Sequence, residues 1–310
     1  MTQYCLLLPQ QQNTSTTSST TSASANYITK NISNNMRFSF FAIASAIAAT
    51  GALAAPIYAL TLEYLEAESY KWGLNKYDGH AFEAAGYDSK VRERFVHIGE
   101  HESEHVDVLK SVIKSLYDTP VPKCIYKFPL DDVHVFIAIA RALENTGIST
   151  YIGAAAGLKG DLLTGTASIA TVEARRSSRT GAPFAFDTPL TPKEIITIAS
   201  NFVESCPFDL GITPFKQLTA ELLKATIRLS NKATVSRRSE CSLAKGVNGY
   251  IYVVITDTAN PITLKDDSHI LAGPALLFYG HHQSLQPTTI SPLWYLFHIV
   301  INNSFNIEHI

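Results

Sequence analysis

The sequence predicts a mainly α protein: a four-helix bundle, then a fifth helix and a small β-rich C-terminal unit that looks incomplete. Three observations carry this. Four long stretches between residues 57 and 179 repeat apolar residues at the period of a half-buried helix. Each of the four sets a glutamate among its apolar residues. From Tyr250 onward, β-branched and aromatic residues replace that pattern.

The chain of 310 residues can bury a sizeable core, and its formal charge of −2 gives nucleic acid or an anionic membrane no purchase. Residues 1–35 are a run rich in Gln, Ser, Thr and Asn, expected to be a disordered extension. Residues 36–54 then read as a secretory signal: Met36-Arg37, an apolar stretch from Phe38 to Ala49, and Ala52-Leu53-Ala54 before Ala55-Pro56. That apolar run, at about 12 residues, is shorter than the about 20 that span a bilayer. Met36 is therefore the expected working start and the protein is expected outside the cell. There Cys124 and Cys206 could pair, leaving Cys241 over, although spacing alone does not fix the pairing.

The helical unit is expected over 56–205. Its first helix runs from Ile57 to about Lys76, behind Pro56. A Gly- and Asp-containing connection leads to a second helix from Ser89 to Tyr117, capped by Asp88 or Ser89. The third spans Asp131 to Leu158 and the fourth Asp161 to Arg179. Thr191-Pro192-Lys193-Glu194 is a capping box that opens the fifth, expected to reach Glu204. Residues 206–245 read as a linker, 246–280 as the β-rich segment and 281–310 as an irregular tail, whose apolar run Leu293–Ile301 is also too short to span a bilayer.

The second helix contains His101-Glu102-Ser103-Glu104-His105, two nested pairs spaced three apart, either of which could ligate one metal. The stripe Val91, Phe95, Ile98, Val106, Leu109, Val112 and Ile113 selects Glu102 with His105; Glu104 points well off it and His101 sits near its edge. An ionisable pair aimed into a core is costly unless partnered. In the first helix Glu63 shares a face with Leu60, Ala67, Tyr70 and Leu74, with Glu66 displaced toward the flank. In the third, Glu144 lies among Ile137, Ala140, Ile148 and Tyr151. Tyr70 and Tyr151 each follow their glutamate by about two turns, placed to donate to a carboxylate of a neighbouring helix. The fourth helix supplies Glu173-Ala174-Arg175-Arg176.

A dimetal bundle takes one Glu from each of two helices and Glu-x-x-His from each of the other two. Here the order is Glu63, Glu102 with His105, Glu144, then Glu173 with Arg176 in place of the last histidine. Glu63, Glu102, His105, Glu144 and Glu173 are thus candidate ligands of a ferritin-like diiron site lacking one ligand. Carboxylates with imidazole suit iron or manganese, one ion or two, acting on dioxygen, peroxide or ferrous iron. Arg176 stays protonated and cannot ligate. An inward Arg176 is expected to pair with Glu173 and repel a second cation, which favours a mononuclear site beside Glu102 and His105. The competing reading is a metal-free polar network in a non-catalytic structural or protective protein.

The stretches Ala59–Glu68, His101–His105, Ala142–Gly147, Thr171–Arg175 and Phe202–Pro207 resemble the fungal secreted ferritin-like family of desiccation-related, stress-response and sexual-development proteins. The resemblance extends weakly to Val247–Tyr252 and Ala272–Ala275, and implies secretion and a stress or developmental setting. The family has a histidine where this chain has Arg176. Surface binding of a cell-wall component through Tyr250, Tyr252 and Tyr279 is a further expectation, set against sheet packing of the same residues. No residue pattern speaks to oligomeric state.

Overall fold

The computed structural model describes residues 4–8, 54–177, 186–223, 226–230, 239–242, 249–258 and 267–279. The expected signal segment, apart from Ala54, and the C-terminal tail lie outside the described residues.

Four long helices form the bundle: α1 (Ala54–Lys76), α3 (Ser89–Ser115), α4 (Val133–Ala155) and α5 (Gly160–Ser177). The short α2 (Gly79–Ala84) lies in the α1–α3 connection. The sequence pattern there predicts a plain connection, but Asp78 accepts from Ala81 N at 2.9 Å and caps a turn and a half of helix. The cap of α3 is Asp88, which accepts from Lys90 N at 2.8 Å. Asp132 does the same for α4 through Val135 N, also at 2.8 Å.

α1 packs against both α3 and α4, and α4 against α5. Glu63 meets Tyr151 while Tyr70 meets Glu144, so α1 and α4 run antiparallel. α3 and α5 flank a groove and meet through side chains: Arg176 of α5 pairs with Glu102 of α3, and Arg94 donates to the Arg175 carbonyl at 3.2 Å. Below the polar centre an aromatic cluster fills the bundle: Phe95 lies 5.6 Å from Tyr70 and 5.3 Å from Phe136, ring centre to ring centre. These are distances at which tilted rings attract.

α6 (Pro192–Ala199) opens on the expected capping box, with Glu194 N donating to Thr191 Oγ1 at 3.3 Å and Thr191 N to Glu194 at 2.7 Å. It ends sooner than expected. Val203–Ser205 is β3, paired antiparallel with β2 (Ile125–Tyr126). The Cys124–Cys206 disulfide lies beside this ladder and links residues 82 apart in sequence.

Two more sheets follow. β4 (Thr219–Leu223), β5 (Thr226–Ser230) and β6 (Ser239–Ser242) form an antiparallel meander inside the expected linker. β7 (Gly249–Thr256) and β8 (Ile270–Tyr279) pair antiparallel, and β1 (Tyr4–Leu8) adds to the other edge of β7. Residues 4–8 are thus a strand, not part of a disordered extension; the apolar run Cys5-Leu6-Leu7-Leu8 finds a partner about 250 residues away.

α6 packs on β8, and Tyr252 of β7 reaches into the bundle. Its hydroxyl accepts from Asn145 Nδ2 at 2.7 Å and lies 2.9 Å from Ser149 Oγ, both on α4. Tyr252 is buried and Tyr250 is half-buried against Phe278. Neither is a surface aromatic, and the side chain of Tyr279 lies outside the described residues. Among the described residues no helix is long and apolar enough to cross a membrane.

Candidate metal centre

Five glutamates are buried at the middle of the bundle: Glu63 and Glu66 from α1, Glu102 from α3, Glu144 from α4 and Glu173 from α5. Among the described residues, the cationic groups paired with them are His105 and Arg176. Ionised together, five carboxylates would face two cations, an imbalance that a low-dielectric interior does not sustain.

One ligand atom each from Glu63, Glu102, His105 and Glu173 lie within 4.8 Å of one another. His105 Nδ1 is 3.1 Å from Glu63 Oε2 and 3.4 Å from Glu102 Oε2, the second an ion-pair contact without hydrogen-bond alignment. Glu63 Oε1 accepts from the Tyr151 hydroxyl. Both oxygens of Glu173 are buried without a hydrogen-bond partner. A buried carboxylate so placed costs on the order of 1–3 kcal/mol or more.

Glu144 stands apart from this quartet. Tyr70 donates to its Oε1 at 2.7 Å, and Arg176 Nη1 lies 3.3 Å from its Oε2. The same Nη1 pairs with Glu102 Oε1. Arg176 therefore bridges Glu102 and Glu144, and not Glu173 as the sequence suggested. The reason is reach: its guanidinium, on a long stem, extends past its own helix to carboxylates on α3 and α4. Glu66, expected at the flank, is 3% exposed. A Cβ added at Gly147 would stand 2.8 Å from Glu66 Oε1 and overlap Glu173 Oε2, so these two carboxyls share the space above a bare glycine backbone.

The electrostatics follow from crowding. Burial, then the charges of Glu63, Glu144 and Glu102, lift the Glu173 carboxyl well above its ordinary range. Burial and the charge of Glu173 do the same to Glu66. Burial and Glu63 raise Glu102 to about 7, with His105 and Arg176 opposing. Burial and Glu102 raise Glu144 to about 7, with Arg176 and Tyr70 opposing. For His105 burial disfavours the charge, but its contacts with Glu102 and Glu63 prevail and raise it to about 10. Tyr70 and Tyr151 are both lifted well up by burial and then by the glutamate each faces, so they remain O–H donors.

The donor set fits a divalent cation. Four oxygen and nitrogen ligands converge, one carboxylate has no other partner, and a dication would lessen the excess negative charge. His101 and Glu104, the pair that the apolar stripe sets aside, are exposed and line the groove between α3 and α5.

Residues 56–181 match a family described as a ferritin-like domain. That stretch takes in α1 from Pro56, all of α2 to α5 and every residue of the centre, so the helical unit is similar to a ferritin-like domain. No curated protein matches the chain.

Proposed function

We propose that the bundle holds one iron or manganese ion on Glu63, Glu102, His105 and Glu173, with the Arg176 guanidinium standing where a second ion would be. The observation that carries this is Glu173: two buried, unpartnered carboxylate oxygens within ligand distance of three other donors. When bound, such an ion supplies one-electron chemistry toward dioxygen, peroxide or ferrous iron. The protein's own part is positional. Tyr151 orients Glu63, Tyr70 orients Glu144, and Arg176 fixes Glu102 so that one of its oxygens stays turned to His105.

The wider setting is a secreted protein of stress response or development. The resemblance to the fungal secreted ferritin-like proteins supports it, and the Cys124–Cys206 disulfide fits an oxidising compartment.

A second reading keeps the bundle without metal, as a structural or protective extracellular protein. Arg176 favours it, since one guanidinium already neutralises parts of two carboxylates. Metal analysis of the purified full chain, beside an Arg176→His variant, separates the two. About one ion per chain in the parent and about two in the variant is the expected result. Two ions in the parent would contradict the role of Arg176, and none in either would establish the metal-free reading.

A further inference from the structure

The groove between α3 and α5 holds about 780 Å³, a volume that suits a small organic molecule. Its α3 wall runs from Lys90 to Val108, about 27 Å of helix. α5 lies along it in the opposite direction. Arg94, early in α3, reaches the Arg175 carbonyl late in α5, while Ile169, early in α5, packs with the cluster of Val106 and Leu109, late in α3.

The two ends of the groove differ. Lys90, Arg94 and Arg175 gather at the first, where Glu93 is the one acidic residue of the lining. All three cations are exposed, and none forms an ion pair among the described residues. Toward the second end the lining turns apolar, through Val172 to Ile169 and Val108, with Ser168 and Glu104 as polar neighbours. Cations gathered without counter-charges repel a further cation and attract an anion.

Arg176 stands between the ends. Its side chain is 5% exposed; Nη1 pairs with Glu102 and lies 3.3 Å from Glu144 Oε2, and Nη2 is buried without a hydrogen-bond partner. A guanidinium carries five donors in a fixed fork that matches the oxygens of a carboxylate or phosphate. The groove therefore has an unspent donor in its wall as well as exposed cations at its mouth. His97 and His101 add ring nitrogens along the α3 wall.

We propose that this groove binds a small organic anion, with an oxyanion head among Arg94, Arg175 and Arg176 and an apolar body along Val172, Ile169 and Val108. Each half of such a ligand meets lining of its own kind. Arg176 and His105 line the groove and also contact the buried carboxylates, so the bound anion lies one side chain away from the centre. The proposal does not rest on that centre holding metal.

Calorimetric titration of the full chain with octanoate, octyl phosphate, octylamine and inorganic phosphate tests it. An octyl anion should bind, the tighter of the two naming the head group. Octylamine should not bind, and inorganic phosphate should bind at least about tenfold more weakly than the octyl anion. The exposed double substitution Arg94→Gln/Arg175→Gln should weaken the octyl anion on the order of tenfold. Val108→Ser/Val172→Ser should weaken it severalfold and leave inorganic phosphate unchanged. Glu173→Gln, which is not part of the lining, should bind it as the parent does, and this keeps the test apart from that of the buried ion. Octylamine binding as tightly as octanoate would reduce the site to an apolar cleft. Inorganic phosphate binding as tightly as octyl phosphate would remove the apolar half. An affinity unmoved by the arginine substitutions, or lost in Glu173→Gln, would place the ligand elsewhere. Each of these results overturns the proposal, as does a chain that binds neither octyl anion.

Discussion

Tyr70 donates its hydroxyl to Glu144 across the bundle at 2.7 Å, while Tyr151, on the helix of Glu144, donates to Glu63 on the helix of Tyr70. α1 and α4 each give a glutamate to the centre and each hold the other's glutamate in place. Replacing either tyrosine by phenylalanine leaves a buried carboxylate oxygen short of a donor. Tyr70→Phe and Tyr151→Phe should each destabilise the fold by about 1–3 kcal/mol in chemical denaturation. Tyr151→Phe should also weaken metal binding about 10–100-fold, because Glu63 is in the quartet and Glu144 is not. Equal metal affinity for the two variants would contradict that division.

The titration of the centre sets a pH dependence of stability in chelator-treated protein. Glu102 and Glu144 are raised to about 7, so the folded state binds more protons than the unfolded one above the ordinary carboxyl range. Their neutral forms are the favoured ones in the fold, and stability should fall as pH rises from about 4.5 toward 7. His105 is raised to about 10, so its contribution is full below about 6.5 and declines through 10. Both effects have the same sign. The melting temperature of the metal-free protein should drop steadily between pH 5 and 9, and added manganese should restore most at the alkaline end. A metal-free melting temperature that climbs over this range would contradict the assigned shifts.

Gly147→Ala separates the centre from the fold. Alanine improves helix propensity by about 1 kcal/mol over glycine. Its methyl would nevertheless drive Glu173 out of the space it shares with Glu66. Helical circular dichroism should be unchanged while metal affinity falls by at least an order of magnitude, the scale found when the support of a ligand is disturbed. Retained affinity would show that Glu173 is not a ligand.

The Cys124–Cys206 disulfide closes a loop spanning 82 positions that contains α4, α5 and α6. Chain-entropy arguments assign such a closure about 4.5 kcal/mol. Cys124→Ser should lower the denaturation midpoint accordingly, and a reductant should bring the parent to the same value. A midpoint unmoved by reductant would mean the bridge does not form in solution.

Much of the bundle is legible from the sequence because period and burial coincide there. Glu63, Glu102 and Glu144 each lie on an apolar stripe, Glu173 follows from the order of glutamates along the four helices, and all four are buried. Glu66 escaped because a stripe defines a direction and not a width: α1 touches both α3 and α4, so a broader arc of it is covered. The partners of Arg176 escaped because helical spacing says which way a side chain leaves, not how far it reaches. β1 and the β4–β6 meander escaped for another reason. Five apolar residues vanish in the average of a Ser/Thr-rich run, and strands declare themselves through partners distant in sequence.

Adjacent residues on α4 point to different neighbours: Glu144 to Tyr70 and Arg176, Asn145 to Tyr252 on β7. A helix held on two sides at consecutive positions cannot turn about its axis or slide by a residue without breaking both attachments. The β-rich unit therefore acts on the centre as a lock on the rotation of α4. Loosening it would spoil the spacing of the carboxylates without touching one of them.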